Sequence, residues 1–193
     1  RCLHDSLNLL RGIGDRTSEA HTLRSLGDVY VDLPRLDAAV TALENAERIA
    51  RDIGDQLSEA HTLRSLGRAY SAQGRLDEAV ACFHKCLPML ERVGDRRREA
   101  LAWQSLGDVY LQHRRFNDAR ACYQRCLPIF QAIGDHRRQA QTLHHLGDAS
   151  AGLGDQANAI PAWQGALELL EKHHASEADE VRAHLTTPPQ RTR

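Results

Sequence analysis

Residues 84 to 95 read HKCLPMLERVGD, and residues 124 to 135 read QRCLPIFQAIGD, with Pro88 and Pro128 in the same place forty positions apart. Matching the chain against itself at that offset organises nearly all of it. Gly-Asp recurs at Gly14-Asp15, Gly54-Asp55, Gly94-Asp95 and Gly134-Asp135. Leu-Gly recurs at Leu26-Gly27, Leu66-Gly67, Leu106-Gly107 and Leu146-Gly147. A small residue stands at Ala20, Ala60, Ala100 and Ala140, and a tyrosine at Tyr30, Tyr70 and Tyr110, where Ser150 breaks the series. Self-similarity at a period of 20 to 50 residues is the signature of stacked repeats.

The same alignment decides what the prolines do. Arg48 and Glu168 occupy the position of Pro88 in ENAERIARDIGD and QGALELLEKHHA, which are unbroken helical patterns. Pro88 and Pro128 therefore bend helices that continue, at a cost of about 3 kcal/mol for the lost hydrogen bond and the clash with the preceding turn.

Within one unit, Ala20, Leu23, Leu26, Gly27 and Tyr30 recur at spacings of three and four and form one apolar helix face. His21, Arg24, Asp28 and Asp32 lie opposite. Pro34 interrupts, and a second helix turns Leu36, Ala39, Val40, Leu43, Ala46, Ile49, Ala50 and Ile53 inward. Gly54 ends that helix and Asp55 caps the next. Each unit is thus an antiparallel pair of helices, each roughly 25 Å long at 1.5 Å per residue. The glycine of Leu-Gly lets the pair approach closely, with the ring of Tyr30, Tyr70 or Tyr110 beside it.

Composition narrows the function. The 193 residues carry 25 Lys plus Arg against 26 Asp plus Glu, a net charge of −1, with the two signs interleaved. This excludes the broad basic face of a nonspecific nucleic-acid binder. No run approaches the roughly 18 apolar residues of a membrane span, and no signal peptide is legible at the start. Residues 1 to 13 align with the second half of a unit, so the chain reads as part of a longer protein. Cut there, Leu3, Leu7 and Leu10 are expected to be partly exposed and to favour self-association.

The pattern Leu-x-x-Leu-Gly-x-x-Tyr, followed on the second helix by a small residue, an aromatic or leucine and another small residue, resembles the tetratricopeptide repeat. Leu63, Leu66, Gly67, Tyr70, Ala79, Phe83 and Cys86 fill it in one unit; Trp103, Leu106, Gly107, Tyr110, Ala119, Tyr123 and Cys126 fill it in the next. The forty-residue form is similar to arrays in Pins-type adaptors, kinesin light chain, bacterial antibiotic-regulatory activators and signalling NTPases. The resemblance implies an all-α superhelical solenoid of helix pairs: a half unit at 1–13, units at 14–53, 54–93, 94–133 and 134–174, a degenerate cap at 175–185 and a disordered tail at 186–193. In the cap, Ser176 with Asp179 fits a capping box, and Ala178, Val181 and Leu185 face the last helix.

The resemblance also implies a concave groove lined by the first helices, and with it a protein or peptide ligand. Carried over through the Leu-Gly anchors, its residues are His21, Arg24, Asp28, Asp32, His61, Arg64, Arg68, Ser71, Gln104, Asp108, Gln112, His144 and Asp148. Arg24, Arg64 and Arg68 would meet an acidic or C-terminal segment, or the face is simply solvated. The chaperone-tail form of the family uses groove asparagines and lysines, which are not in place here. Similar regulators imply a second role, in which the array restrains or senses for an upstream nucleotide-binding or DNA-binding domain.

Other side chains carry less. Cys82 with Cys86, and Cys122 with Cys126, take positions held elsewhere by alanine, which reads as small buried thiols rather than zinc ligands and suits a reducing, cytoplasmic compartment. Eleven histidines scatter over several faces, including the pairs His144-His145 and His173-His174; no metal or cofactor is expected, and a metal- or redox-responsive module is the distant third reading. His21 and His61, at equivalent positions, are the candidate pH-sensitive pair. Arg96, Arg97 and Arg98, with Arg137 and Arg138, place positive charge at helix N-termini against the macrodipole, which points to an anionic edge or a solvated one. No phosphate loop or nucleophile motif indicates an enzyme. Pro88→Ala and Pro128→Ala are expected to raise the melting temperature while weakening a bound partner; higher stability with unchanged binding would leave the bends without a functional role.

Overall fold

The computed structural model describes residues 2–172 and 178–186, apart from the side chains of residues 2–5, 180 and 186. The described residues form ten α-helices: α1 (Cys2–Ile13), α2 (Arg16–Asp32), α3 (Leu36–Asp52), α4 (Gln56–Ala72), α5 (Leu76–Val93), α6 (Arg96–Gln112), α7 (Phe116–Ala132), α8 (His136–Gly152), α9 (Gln156–Lys172) and α10 (Ala178–Thr186). Two compact units divide the chain between Ala102 and Trp103, inside α6. In the first unit α2 packs on α3 and α4 on α5, with α3 against α4 joining the pairs. In the second unit α8 packs on both α7 and α9, and α10 covers α9. This is an all-α solenoid of consecutive helix pairs.

The Gly-Asp dipeptide stops one helix and starts the next. Gly54 takes the left-handed conformation at φ +72°, which a side chain rarely adopts. The Asp55 amide then donates back to the Ala50 carbonyl at 2.9 Å, satisfying an orphan acceptor at the end of α3. The carboxylate of the same Asp55 accepts from the Ser58 amide at 3.0 Å and caps α4. Asp15, Asp95 and Asp135 cap α2, α6 and α8 in the same way.

The turn inside each pair is equally regular. The amides of Arg35, Arg75 and Arg115 donate to the carbonyls of Tyr30, Tyr70 and Tyr110, and each guanidinium sits over that tyrosine ring, at 4.4 Å for Arg75 and 4.5 Å for Arg115. In the last repeat both partners change together. Asp155 replaces the arginine and caps α9, and Ser150 replaces the tyrosine and donates to the Leu146 carbonyl. The break in the tyrosine series is thus a paired exchange.

The prolines behave as their register predicts. α5 continues through Pro88 and α7 through Pro128, and α9 also contains Pro161. Leu10 is half-buried as expected and the side chain of Leu3 lies outside the described residues, but two expectations need correction. Leu7 is buried against Ala20, Leu23 and Leu26, because α2 covers that face of α1, and the exposed apolar residues there are Leu9 and Ile13. Ile53 is not inward but exposed, because it falls at the C-cap of α3, where the chain turns away. The atoms nearest the Leu-Gly glycines come from the second helix: Leu43 at Gly27, Phe83 at Gly67, Tyr123 at Gly107 and Trp163 at Gly147, which is the close approach expected of the pair.

At the C-terminal end, Ala178 and Val181 are buried with Trp163, Ala166 and Leu170, and Leu185 packs on the same cluster. The proposed cap at Ser176 and the tail at 187–193 lie outside the described residues, as do His173 and His174. Among the described residues no helix is long and apolar enough to cross a membrane.

A Cβ on Gly107 would lie 2.6 Å from a Tyr123 ring carbon, and a rigid ring inside a packed pair cannot swing aside. Gly107→Ala is expected to destabilise the fold by about 1–3 kcal/mol. The double variant Gly107→Ala/Tyr123→Leu should recover part of that loss, as read by urea denaturation.

Candidate functional site

The first-helix face of the first unit is built by α2 and α4, which lie side by side. Its arginines are largely committed to neighbouring carboxylates. Arg24 is 3.6 Å from Asp28 one turn on, and Arg68 reaches Asp28 at 3.6 Å and Asp32 at 3.7 Å. Pairs this long and partly exposed contribute well under ~1 kcal/mol each, so they order the face more than they stabilise it. His21 lies 3.3 Å from the Ser58 hydroxyl, and Ser71 is half-buried.

Arg64 differs. No ion pair or hydrogen bond among the described residues holds it, the Asp28 carboxylate acts on it only through its charge, and its Nε, like that of Arg24, is buried without a partner. Burial pushes its pKa down, with the Arg68 charge adding to the effect, yet a guanidinium remains protonated at any physiological pH. A buried cation with an unmet donor is costly unless something arrives to satisfy it.

His61 does not lie on a solvated face but is buried, because α6 begins beside it. Its Nε2 lies 3.0 Å from the Asp95 carboxylate, which also takes Arg98 at 2.9 Å. Burial is the largest influence on His61 and lowers its pKa; the nearby Arg98 lowers it further, and the Asp95 contact opposes both without reversing the direction.

In the second unit the carried-over positions other than Gln112 are engaged in packing. Gln104 is fully buried, donating to the Thr142 hydroxyl at 3.2 Å and accepting from Arg138 at 3.1 Å. Asp108 accepts the Tyr123 hydroxyl at 2.8 Å and faces His145 Nδ1 at 2.8 Å. Asp148 accepts the Trp163 indole N–H at 3.0 Å. His144 is buried and Gln112 is exposed. Beside them, α8, α9 and α10 enclose a cleft of about 360 Å³ with an apolar floor of Ala140, Leu170 and Val181, and Arg137 and Arg138 at its rim.

The arginine-rich helix starts are not a row of free cations. Arg96 pairs with Glu99 at 2.7 Å, Arg98 with Asp95, and Arg138 donates to Gln104 and Gln141. Glu99 in the first turn of α6, and the capping carboxylates Asp95 and Asp135, offset the unfavourable dipole term that the sequence pattern raised.

Cys82, Cys86, Cys122 and Cys126 are buried free thiols. Desolvation raises Cys82 to about 11 and the other three to about 12, so they are neutral at physiological pH. Cys86 and Cys126 donate to the carbonyls of Phe83 and Tyr123. These are packing groups and not activated nucleophiles.

The helices and their junctions together define an all-α helix-pair solenoid. The tetratricopeptide repeat profile matches residues 18–92, 58–132 and 98–172, and the chain belongs to that family. No curated protein matches it in sequence. Solved structures share the fold at low identity. Aspartyl phosphate phosphatase F from Bacillus subtilis superposes with a TM-score of 0.85 at 12% identity, over 97% of this chain and 50% of that one. A Signal Transduction ATPase with Numerous Domains from Pyrococcus horikoshii, with a tetratricopeptide repeat sensor, gives 0.78 at 19% identity, over 94% of this chain and 29% of that one. The Rap conjugation gene regulator of plasmid pLS20, in complex with the Phr* peptide, gives 0.72 at 18%, over 92% and 48%. The chain thus spans half or less of the length of these three relatives.

The lowered His61 pKa fixes a sign. The unfolded chain takes up this proton near pH 6.5, the folded chain only at lower pH, so the contribution is full above 6.5 and is lost as pH falls through the folded value. Asp55 and Asp95, both lowered, add a further loss below about pH 4. Denaturation midpoints measured from pH 8 to 5 should fall for the wild type and fall less for His61→Gln.

Proposed function

We propose that this chain is a non-catalytic recognition module that holds an acidic protein or peptide segment on the α2–α4 face, and that it works in the cytoplasm. The observation that carries this reading is Arg64, a mostly buried guanidinium whose Nε has no partner and which forms no ion pair among the described residues. A carboxylate from an acidic side chain or a chain terminus would supply two acceptors to its planar fork. Arg24, Arg68, Asp28 and Asp32 then act as a polar frame around it, their mutual pairing keeping the frame ordered before the segment arrives. The peptide complex of the Rap relative supports a peptide as the ligand class.

A second reading is favoured by the ATPase relative, in which a tetratricopeptide repeat array is the sensor: the segment belongs to another domain of the same polypeptide, and the array restrains it. The chemistry at Arg64 is the same in both. In the full-length polypeptide, slow amide exchange on the exposed side of α4 without any added partner would favour the intramolecular form.

Peptide display on the wild-type chain is expected to enrich acidic segments. Arg64→Ala should lower their affinity about tenfold or more, and Arg64→Lys should restore only part of it, since a point charge lacks the fork. Arg64→Met should bind poorly yet be more stable, by about 1 kcal/mol, because it exchanges a buried charge for an apolar side chain. Enrichment of neutral peptides, or equal binding by Arg64→Ala, overturns the proposal.

A further inference from the structure

His144 and Asp148 stand one turn apart on α8, and α10 brings His184 to the same place. His144 Nε2 is 3.8 Å from Asp148 Oδ2, and His184 Nδ1 is 3.9 Å from Asp148 Oδ1. One ligand atom from each of the three residues lies within 4.8 Å of the other two. These separations are too long for hydrogen bonds. The two contacts run to different oxygens of Asp148. The 4.8 Å bound on the three ligand atoms is somewhat wider than the roughly 3–4 Å between neighbouring donors on bonds of 2.0–2.2 Å, so an ion would draw the three together by a small side-chain adjustment.

The surroundings hold the three side chains in place. Asp148 Oδ1 accepts the Trp163 indole N–H at 3.0 Å, which orients the carboxylate. The His184 ring stacks on Trp163 with centroids 5.1 Å apart and meets the His144 ring edge-on at 5.0 Å, so neither imidazole turns freely. His144 is buried while His184 is exposed, so an ion would enter from the α10 side.

We propose that His144, Asp148 and His184 bind a divalent transition ion of the zinc class and thereby tie α10 to α8. Two imidazoles and one carboxylate select zinc, cobalt, nickel or copper over calcium and magnesium, which take oxygen ligands. Three protein ligands leave a coordination position for water or for a donor from a bound partner. Each histidine would coordinate through a neutral imidazole nitrogen. None of this depends on Arg64 or on the peptide reading, since α2 and α4 contribute no ligand.

The test uses the whole chain, stripped with a chelator and titrated with Zn²⁺ by calorimetry and with Co²⁺ by visible absorption. The wild type is expected to take up a single ion, to show Co²⁺ ligand-field bands and to melt higher with Zn²⁺. His184→Ala should lose at least about tenfold in affinity together with the thermal shift. Because His184 also packs on Trp163, the variant is compared with its own metal-free form: its melting temperature should not rise with Zn²⁺, which separates lost coordination from lost packing. His113→Ala, at an exposed histidine far along the chain, should bind as the wild type does. Absence of Zn²⁺ and Co²⁺ uptake at about 100 μM, a concentration well above free transition-ion levels, overturns the proposal. So does equal affinity in His184→Ala, which would put the ion on other histidines.

Discussion

In each repeat the first helix lacks a side chain at the point where the second helix presses closest. A Cβ on Gly27, Gly67, Gly107 or Gly147 would fall between 2.4 and 2.8 Å from atoms of Leu43, Phe83, Tyr123 or Trp163 respectively. Any side chain there would hold the pair apart and open a void along its length, and interiors pack too densely for that. The close approach lets the small residues Ala39, Ala46, Ala79, Cys86, Ala119, Cys126, Ala159 and Ala166 be fully buried. From it follow the regular turns, and with them the placement of every first-helix face.

What presses on the glycine also decides what the next residue can do. Leu43 and Phe83 have no polar atom. Tyr123 and Trp163 do, and each satisfies it on the aspartate directly after its glycine, Asp108 and Asp148. Those carboxylates are tethered to the core and oriented by it. Asp28, opposite Leu43, carries no such duty and turns to Arg24 and Arg68 instead. The chemistry of the exposed face is therefore set partly from inside. The first unit pairs guanidinium with carboxylate groups on this face, whereas the second has carboxylates fixed beside imidazoles.

The fold was legible because the forty-residue offset is a physical unit, and Gly-Asp is readable as stop and start in adjacent residues. Helix continuation through Pro88 and Pro128 followed from the same register. Burial on the first-helix face was not legible. His61 and Gln104 sit where helical periodicity calls for solvent, and only the neighbouring helix, which the period of one helix cannot report, covers them. Arg24 and Arg68 read as available cations until Asp28 and Asp32 appeared beside them. His184 was missed as a ligand although it stands forty positions after His144, one full period, because the last segment lacks the Leu-Gly pair that anchors the register elsewhere.

One repeat position concentrates these differences. Residues 24, 64, 104 and 144 are equivalent by register, and they are Arg24, Arg64, Gln104 and His144. All are buried or half-buried, so each withdraws a polar group from water. Gln104 recovers that loss inside its unit through Thr142 and Arg138. Arg24 and Arg64 do not recover it at Nε, and an apolar residue would stabilise either position. In a solenoid, stability is a sum over repeats and their interfaces, so the array can carry a locally unfavourable group without unfolding. A position that is structurally the same four times and chemically different three ways is where recognition can vary while the fold does not. Its side chain sits on the packed first helix, held well enough to be specific, and leaves the helix–helix contact at the glycine untouched.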